Sequence, residues 1–127
     1  MEEIIQFFTL DQMNVEYAFY FSDRQNPPVF QANQQRFRSA SIIKVPILLA
    51  WLELEKEGQV DRRKLCNLDG EPRVGGAGFA ELFTTREISY ADILLMMIAT
   101  SDNLCTNLIL REIGLPRLQK VLQEKLG

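Results

Sequence analysis

Ser41-Ile42-Ile43-Lys44 places a hydroxyl and an amine three residues apart at the start of an apolar, helix-periodic run. Positions i and i+3 of a helix share a face, so the two side chains come within reach of each other. The serine falls at the helix N-terminus, where unpaired N–H groups and the dipole favour negative charge. A serine hydroxyl needs a base before it can attack a carbonyl. The chain contains no histidine, so it can build neither a Ser-His-Asp triad nor a Cys-His dyad. Acid–base chemistry is left to Lys, Asp, Glu, Tyr or water. Lys44 is the candidate base, and its neighbours Ile42, Ile43, Val45 and Ile47 are an unusual setting for a surface lysine. A plainer assignment makes Ser41 an N-cap and Lys44 a solvent-facing helix residue. The tetrapeptide alone does not separate the two.

Ser101-Asp102-Asn103 is a polar triplet cut into an apolar stretch. Its plain role is capping: Ser101 or Asp102 starts the helix that begins near Leu104. Its functional role would be to point Ser101 and Asn103 into a site shared with Ser41. Gly75-Gly76-Ala77-Gly78 could suggest a phosphate-binding turn. No Lys-Ser/Thr follows it and no strand leads into it, so a plain tight turn is favoured.

The elements that must position these residues follow from periodicity. Ile4, Ile5, Phe7 and Phe8 share one side of a short helix over Glu2 to Leu10. Val15, Tyr17, Phe19 and Phe21 alternate along a strand running to Ser22, and Val29 to Asn33 form a second strand. Asp23 to Pro28 is the turn of the resulting hairpin. From Ser41 the period becomes helical through Ile43, Ile47, Ala50, Trp51 and Leu54, closed by Gly58. Pro46 lacks an N–H and predicts a local distortion early in that helix. Gln59 to Thr85 reads as loop. Ser89, with Asp92 three residues on, caps a helix whose Ile93–Ile98 segment is apolar all round and predicts burial. A further helix from Leu104 is closed by Gly114, with Cys105 a small core residue. Pro116 opens a last amphipathic helix through Leu126 at its first position.

The 127 residues are 46% hydrophobic and 24% charged, which predicts one domain with a real core. Its class is α+β: a helix and β-hairpin over residues 1–36, then a mainly helical body over 37–127. The net charge is −3 and the longest basic cluster is Arg62-Arg63-Lys64, which argues against nucleic acid or anionic lipid as partner. The longest apolar run, Ile93 to Ala99, falls far short of a membrane span. The opening Met-Glu-Glu-Ile lacks the basic region of a signal peptide. As written the chain is expected in the cytoplasm, with Cys66 and Cys105 reduced; a removed leader would instead place it in the periplasm or outside the cell. Without histidine, and with two distant cysteines, no zinc site is expected, and no cofactor is implied.

The two motifs together carry a resemblance. S-x-x-K at Ser41–Lys44, followed sixty positions later by S-D-N at Ser101–Asn103, resembles the class A β-lactamase family of penicillin-recognising serine enzymes. Phe37-Arg38-Ser39-Ala40 before the first motif is similar to that family's entry to its nucleophile helix. Met97-Ile98-Ala99-Thr100 and Asn107-Leu108-Ile109-Leu110-Arg111-Glu112-Ile113-Gly114 around the second fit as well. The resemblance runs from about Met13 to the end of the chain. It implies that Ser41 attacks a β-lactam carbonyl, that Lys44 tunes and shuttles protons, and that Ser101 protonates the departing nitrogen. It also implies that Asn103 holds Lys44 and the substrate's side-chain amide, that the Ser41 N–H serves an oxyanion hole, and that Asp102 anchors its loop. A D-Ala-D-Ala peptidase or esterase acting on peptidoglycan-like peptides shares these motifs.

The chain also departs from that family, whose fold is about twice as long. The loop supplying the deacylating glutamate and the K-T-G strand that binds the substrate carboxylate are not represented. Lys125-Leu126-Gly127 has no hydroxyl and does not replace that strand. The sequence therefore holds half of a catalytic site, expected to be inactive alone. It is expected to find cover for its hairpin in a homo-oligomer or a complementing C-terminal segment. A non-catalytic module acting in protein association is the third expectation.

Overall fold

A computed structural model describes residues 18–31 and 36–125. Two compact units comprise residues 1–38 and 39–127.

The first unit contains a hairpin. Strand β1 (Phe19–Phe21) pairs antiparallel with β2 (Val29–Gln31), Tyr20 opposite Phe30. Asp23 organises the turn: its carboxylate accepts the Gln25 and Asn26 N–H groups at 2.9 and 2.8 Å, and the Asn26 side chain at 2.8 Å. The side-chain bond from Asn26, with the backbone donors behind it, lowers the Asp23 pKa. Tyr20 and Phe30 stack with ring centres 6.5 Å apart, and Tyr20, Phe21 and Phe30 are exposed. The helix expected over Glu2–Leu10 and the outer strand residues Val15–Tyr17 and Ala32–Asn33 lie outside the described residues.

The second unit is built on four helices: α1 (Lys44–Lys56), α2 (Tyr90–Ala99), α3 (Asn103–Ile113) and α4 (Leu115–Lys125). Trp51 and Leu54 of α1 meet Ile93 and Met97 of α2, Leu108, Ile109 and Ile113 of α3, and Leu118 and Val121 of α4 in one buried cluster. Burying each large apolar side chain contributes about 1.5–3 kcal/mol. Trp51 and Tyr90 lie with ring centres 5.1 Å apart.

The helix ends agree with their sequence signals. The Ser89 hydroxyl accepts the Asp92 N–H at 3.2 Å and donates to its carboxylate at 2.6 Å, a side-chain N-cap held by the acid three residues on. Gly58 and Gly114 close α1 and α3 with φ of 70° and 77°. The bonds Gly58 N–H to Glu55 and Gln59 N–H to Leu54 complete a Schellman motif after α1. Pro116 is the second residue of α4 and not the first, where a missing N–H is equally harmless. The chain enters through a 3-10 turn over Ala40–Ile43, the α-helix begins at Lys44, and Pro46 falls inside its first turn.

Two expectations need correction. The segment read as loop contains a strand, β3 (Leu65–Asn67), paired antiparallel with β4 (Glu87–Ser89), Cys66 opposite Ile88. Three-residue strands leave too little alternation to be read. The apolar run in α2 is two-sided: Ile93, Leu94 and Met97 are buried, while Leu95 and Ile98 are exposed. No helix among the described residues is long and apolar enough to cross a membrane.

Candidate active site

The 3-10 turn and the first residue of α1 bring Ser41 and Lys44 together as their spacing predicts, with Lys44 Nζ 3.4 Å from Ser41 Oγ. Lys44 is only 5% exposed. Among the described residues no carboxylate pairs with it. Its amine donates instead to the Ser101 carbonyl at 2.5 Å, the Ser101 hydroxyl at 2.8 Å and Asn103 Oδ1 at 2.9 Å. An ammonium has three hydrogens, and these three short bonds employ them. Ser41 Oγ is left as the longest contact. The Ser101 hydroxyl reaches Ser41 Oγ at 2.7 Å, so Ser101 bridges the amine and the Ser41 oxygen.

Ser101 occupies this place through its backbone. It is a non-glycine residue at φ 57°, a left-handed conformation that costs roughly 1–2 kcal/mol. That twist ends α2 and turns the Asp102 N–H back to the Met96 carbonyl at 3.3 Å. It also presents both the carbonyl and the hydroxyl of Ser101 to Lys44. The strain is held at the one residue that contacts both the Lys44 amine and the Ser41 oxygen.

Asp102 points the other way and fixes the triplet. It is 2% exposed and N-caps α3, accepting the Cys105 N–H at 2.9 Å. Its second oxygen accepts the Phe79 and Ala80 N–H groups, both at 2.8 Å. Burial pushes its pKa up, but the Cys105, Ala80 and Phe79 donors outweigh burial and hold the carboxyl below the ordinary aspartate value. The neighbouring Cys105 thiol is pushed up to about 12, first by burial and then by the Asp102 charge.

The Gly75–Gly78 segment is more than a turn. Asn103 Nδ2 donates to the Gly75 carbonyl at 3.2 Å, and the Asn103 N–H to the Ala77 carbonyl at 3.1 Å. At Gly78, φ is 114° and a Cβ would lie 2.1 Å from Asp102 Oδ2. At Gly76, φ is 112° and a Cβ would meet Asn103 Nδ2 at 2.9 Å. Both positions require glycine, for conformation and for space. Sequence reading had no signal for this beyond the glycines themselves, because the contacts span more than 20 positions.

Every residue singled out from the sequence (Ser41, Lys44, Ser101, Asp102, Asn103) thus falls in one cluster. Four of them converge on the Lys44 amine and the Ser41 oxygen, and Asp102 anchors the segment behind them. The cluster offers a hydroxyl, an amine that can take or give a proton, and a second hydroxyl touching both. Among the described residues there is no group of acidic or thiol ligands able to hold a metal ion.

Comparison with known proteins gives this arrangement a context. None of the curated proteins matches the chain. Solved structures do. A variant of PBP-A, described as an acyl-enzyme complex with penicillin G, shares the fold with a TM-score of 0.82 at 24% identity, over 97% of this chain and 47% of its own. A second PBP-A structure gives a TM-score of 0.78 at 23% identity over the same shares. The β-lactamase from Sphaerobacter thermophilus DSM 20745 gives 0.71 at 24% identity, over 76% of this chain and 37% of its own. The chain therefore spans about half or less of the length of these structures. At such identities the likeness establishes the fold. A sequence match over residues 1–127 establishes the lineage: the chain belongs to the beta-lactamase enzyme family.

Proposed function

We propose that this chain carries the acylating half of a class A β-lactamase-type serine hydrolase site, with Ser41 as nucleophile. The observation that carries this reading is the Ser41–Ser101–Lys44 network, closed at 2.7 and 2.8 Å in a chain without histidine. To take the Ser41 proton, Lys44 must first give up one of the three hydrogens it donates; Ser41 Oγ then attacks the lactam carbonyl carbon. Its proton passes to the amine, directly or through the Ser101 hydroxyl. The developing oxyanion lies at the N-terminal end of α1, where the Ser41 N–H and the helix dipole favour it. When the ring C–N bond breaks, Ser101 gives its proton to the nitrogen and recovers one from Lys44. The product is a Ser41 ester with a ring-opened amine. Asn103, already on Lys44, is the donor for a substrate amide. Asp102 acts through position alone.

Release of that ester by water needs a base that the cluster does not supply. On this reading the chain alone does not turn β-lactams over, and turnover requires a base from outside the cluster. The likeness to PBP-A, described with penicillin G as an acyl-enzyme, supports a site that accumulates the ester. It favours, as a second reading, a peptidase-like enzyme acting on peptidoglycan-like peptides. A non-catalytic association module is the reading left if Ser41 never acylates. Fluorescent penicillin, offered to the chain alone and to the chain completed by the C-terminal remainder of PBP-A, separates these. Labelling of Ser41 with slow release supports the peptidase-like site, labelling with turnover supports the β-lactamase, and no labelling in either sample contradicts both.

A further inference from the structure

Of the six glycines among the described residues, five are accounted for by the chain itself. Gly58, Gly76, Gly78 and Gly114 have φ between 70° and 114°, and a Cβ at Gly70 would overlap the Arg111 guanidinium at 2.1 Å. Gly75 is the exception. Its φ lies outside the left-handed region, and a Cβ there would meet nothing within 4 Å. Glycine at such a place weakens the folded chain relative to alanine, because it loses more conformational freedom on folding. The other use of a glycine is to let a ligand come close to the backbone. Gly75 stands where a ligand would come. Its carbonyl accepts Asn103 Nδ2 at 3.2 Å, and a Cβ would be only a few bonds from that oxygen. The run Gly75-Gly76-Ala77 is exposed and carries no side chain larger than a methyl. It is also held at both ends. On one side Arg86 pairs with Asp69 at 2.7 Å and Arg111 donates to the Gly70 carbonyl. On the other, Asp102 accepts the Phe79 and Ala80 N–H groups, both at 2.8 Å.

We infer that residues 75–77 form the subsite for the acyl group of an acylamido substrate, and that Gly75, by carrying no side chain, sets the site to take a bulky one. The inference rests on the proposed function and deepens it, because that reading gives the substrate amide to Asn103. The Asn103 oxygen is committed to Lys44 at 2.9 Å, and one of its two amide hydrogens to the Gly75 carbonyl. The second hydrogen is left for the carbonyl of the substrate amide. An acyl group on that carbonyl lies beside residues 75–77, and what projects from residue 75 limits its width. With glycine there, a branched or aryl acyl group has room; a large side chain would occupy the same space. Residue 76 does not offer this control, since a side chain there is strained and meets Asn103 itself at 2.9 Å.

Two penicillins that differ only in the acyl group test this on the 127-residue chain: one with an acetamido group, the other with a diphenylacetamido group. Ser41→Ala keeps their binding non-covalent, and nuclear magnetic resonance titration reads weak affinities residue by residue. The expected result is that the bulky probe shifts the amide signals of residues 75–77 and of the Asn103 side chain. Gly75→Phe is then added in the same background, at a position with neither strain nor a neighbour to displace. It should weaken the bulky probe by about tenfold or more and the acetamido probe by less than about twofold, because the new side chain clashes with one acyl group and not the other. Gly75→Ala should fall between parent and Gly75→Phe, and circular dichroism confirms that each variant is folded. The inference is overturned if neither probe binds or if the bulky probe leaves residues 75–77 unshifted. It is also overturned if Gly75→Phe weakens both probes alike, or neither. Covalent labelling of the parent by the same penicillins is read separately. Bound probes with Ser41 unlabelled would contradict the nucleophile and leave this subsite standing.

Discussion

The hydroxyl of Ser101 lies 2.7 Å from the hydroxyl of Ser41, sixty positions away in the chain. That contact joins the two sequence motifs into one unit, and Lys44 holds it from beneath through both the carbonyl and the hydroxyl of Ser101. The contacts among these residues lie within the second unit, residues 39–127. Each element of that assembly makes a prediction.

Ser101 is strained at φ 57°. Glycine adopts this conformation without penalty, whereas alanine keeps the strain and loses the hydroxyl. Ser101→Gly should therefore be more stable than Ser101→Ala by about 1 kcal/mol, while both abolish proton delivery at the site. Urea unfolding of the two variants gives the comparison. Equal midpoints would mean that the twist carries no strain.

Gly78 and Gly58 both have positive φ, but their surroundings differ. A Cβ at Gly78 meets Asp102 at 2.1 Å, and one at Gly58 meets nothing within 4 Å. Gly58→Ala should cost about 1 kcal/mol, the conformational penalty alone. Gly78→Ala should cost at least about 3 kcal/mol, because it also displaces a buried carboxylate from its donors. Thermal midpoints of the two variants check the order, and a smaller loss at Gly78 would contradict the loop–triplet contact.

Asp102 gives a pH dependence. Its folded pKa is depressed, so on acidification the unfolded chain takes up this proton first. The stability it contributes is present above the unfolded aspartate value of 3.8 and is lost as pH falls below that toward the folded value. Parent and Asp102→Asn should differ most in unfolding free energy near neutral pH, and the gap should narrow below about pH 4. A gap that stays constant down to pH 2.5 would show that the Asp102 charge is not used by its three backbone donors.

How far the sequence speaks depends on the range of each interaction. Local rules placed the Ser89 cap, the Gly58 and Gly114 stops, and the Ser41–Lys44 pairing, because each is decided within about four residues. The Asp102 cap was one of two assignments that local rules allowed. They failed where a contact partner lies far along the chain. The β3–β4 ribbon joins distant residues, Leu65 with Ser89 through Asn67 with Glu87, in three-residue strands, too short for period two to show. The Gly75–Gly78 loop looked like an ordinary turn because its partner, the Ser101–Asn103 triplet, arrives by tertiary packing. Leu95 and Ile98 looked like core because apolar type reports a need for burial, and that need is unmet within the described residues.

Asn103 links Lys44 to the Gly75 carbonyl through the two ends of its amide. Asn103→Asp would put a carboxylate 2.9 Å from the ammonium and remove the donor to Gly75. The pair should anchor Lys44 as a fixed cation, unable to accept the Ser41 proton. Acylation of the completed enzyme should fall by at least about 100-fold with little change in thermal midpoint, the scale expected for a lost acid–base step. A variant that acylates normally would remove Lys44 from the proton path.

The central claim is that Ser41 is the nucleophile. Its most direct measurement is peptide mapping after a reporter penicillin is offered to the chain completed by the C-terminal remainder of PBP-A. The account predicts one covalent adduct, on the peptide containing Ser41, at the mass of the intact penicillin, and none in Ser41→Ala. An adduct on Ser101 or any other residue, or undiminished labelling of Ser41→Ala, would contradict it.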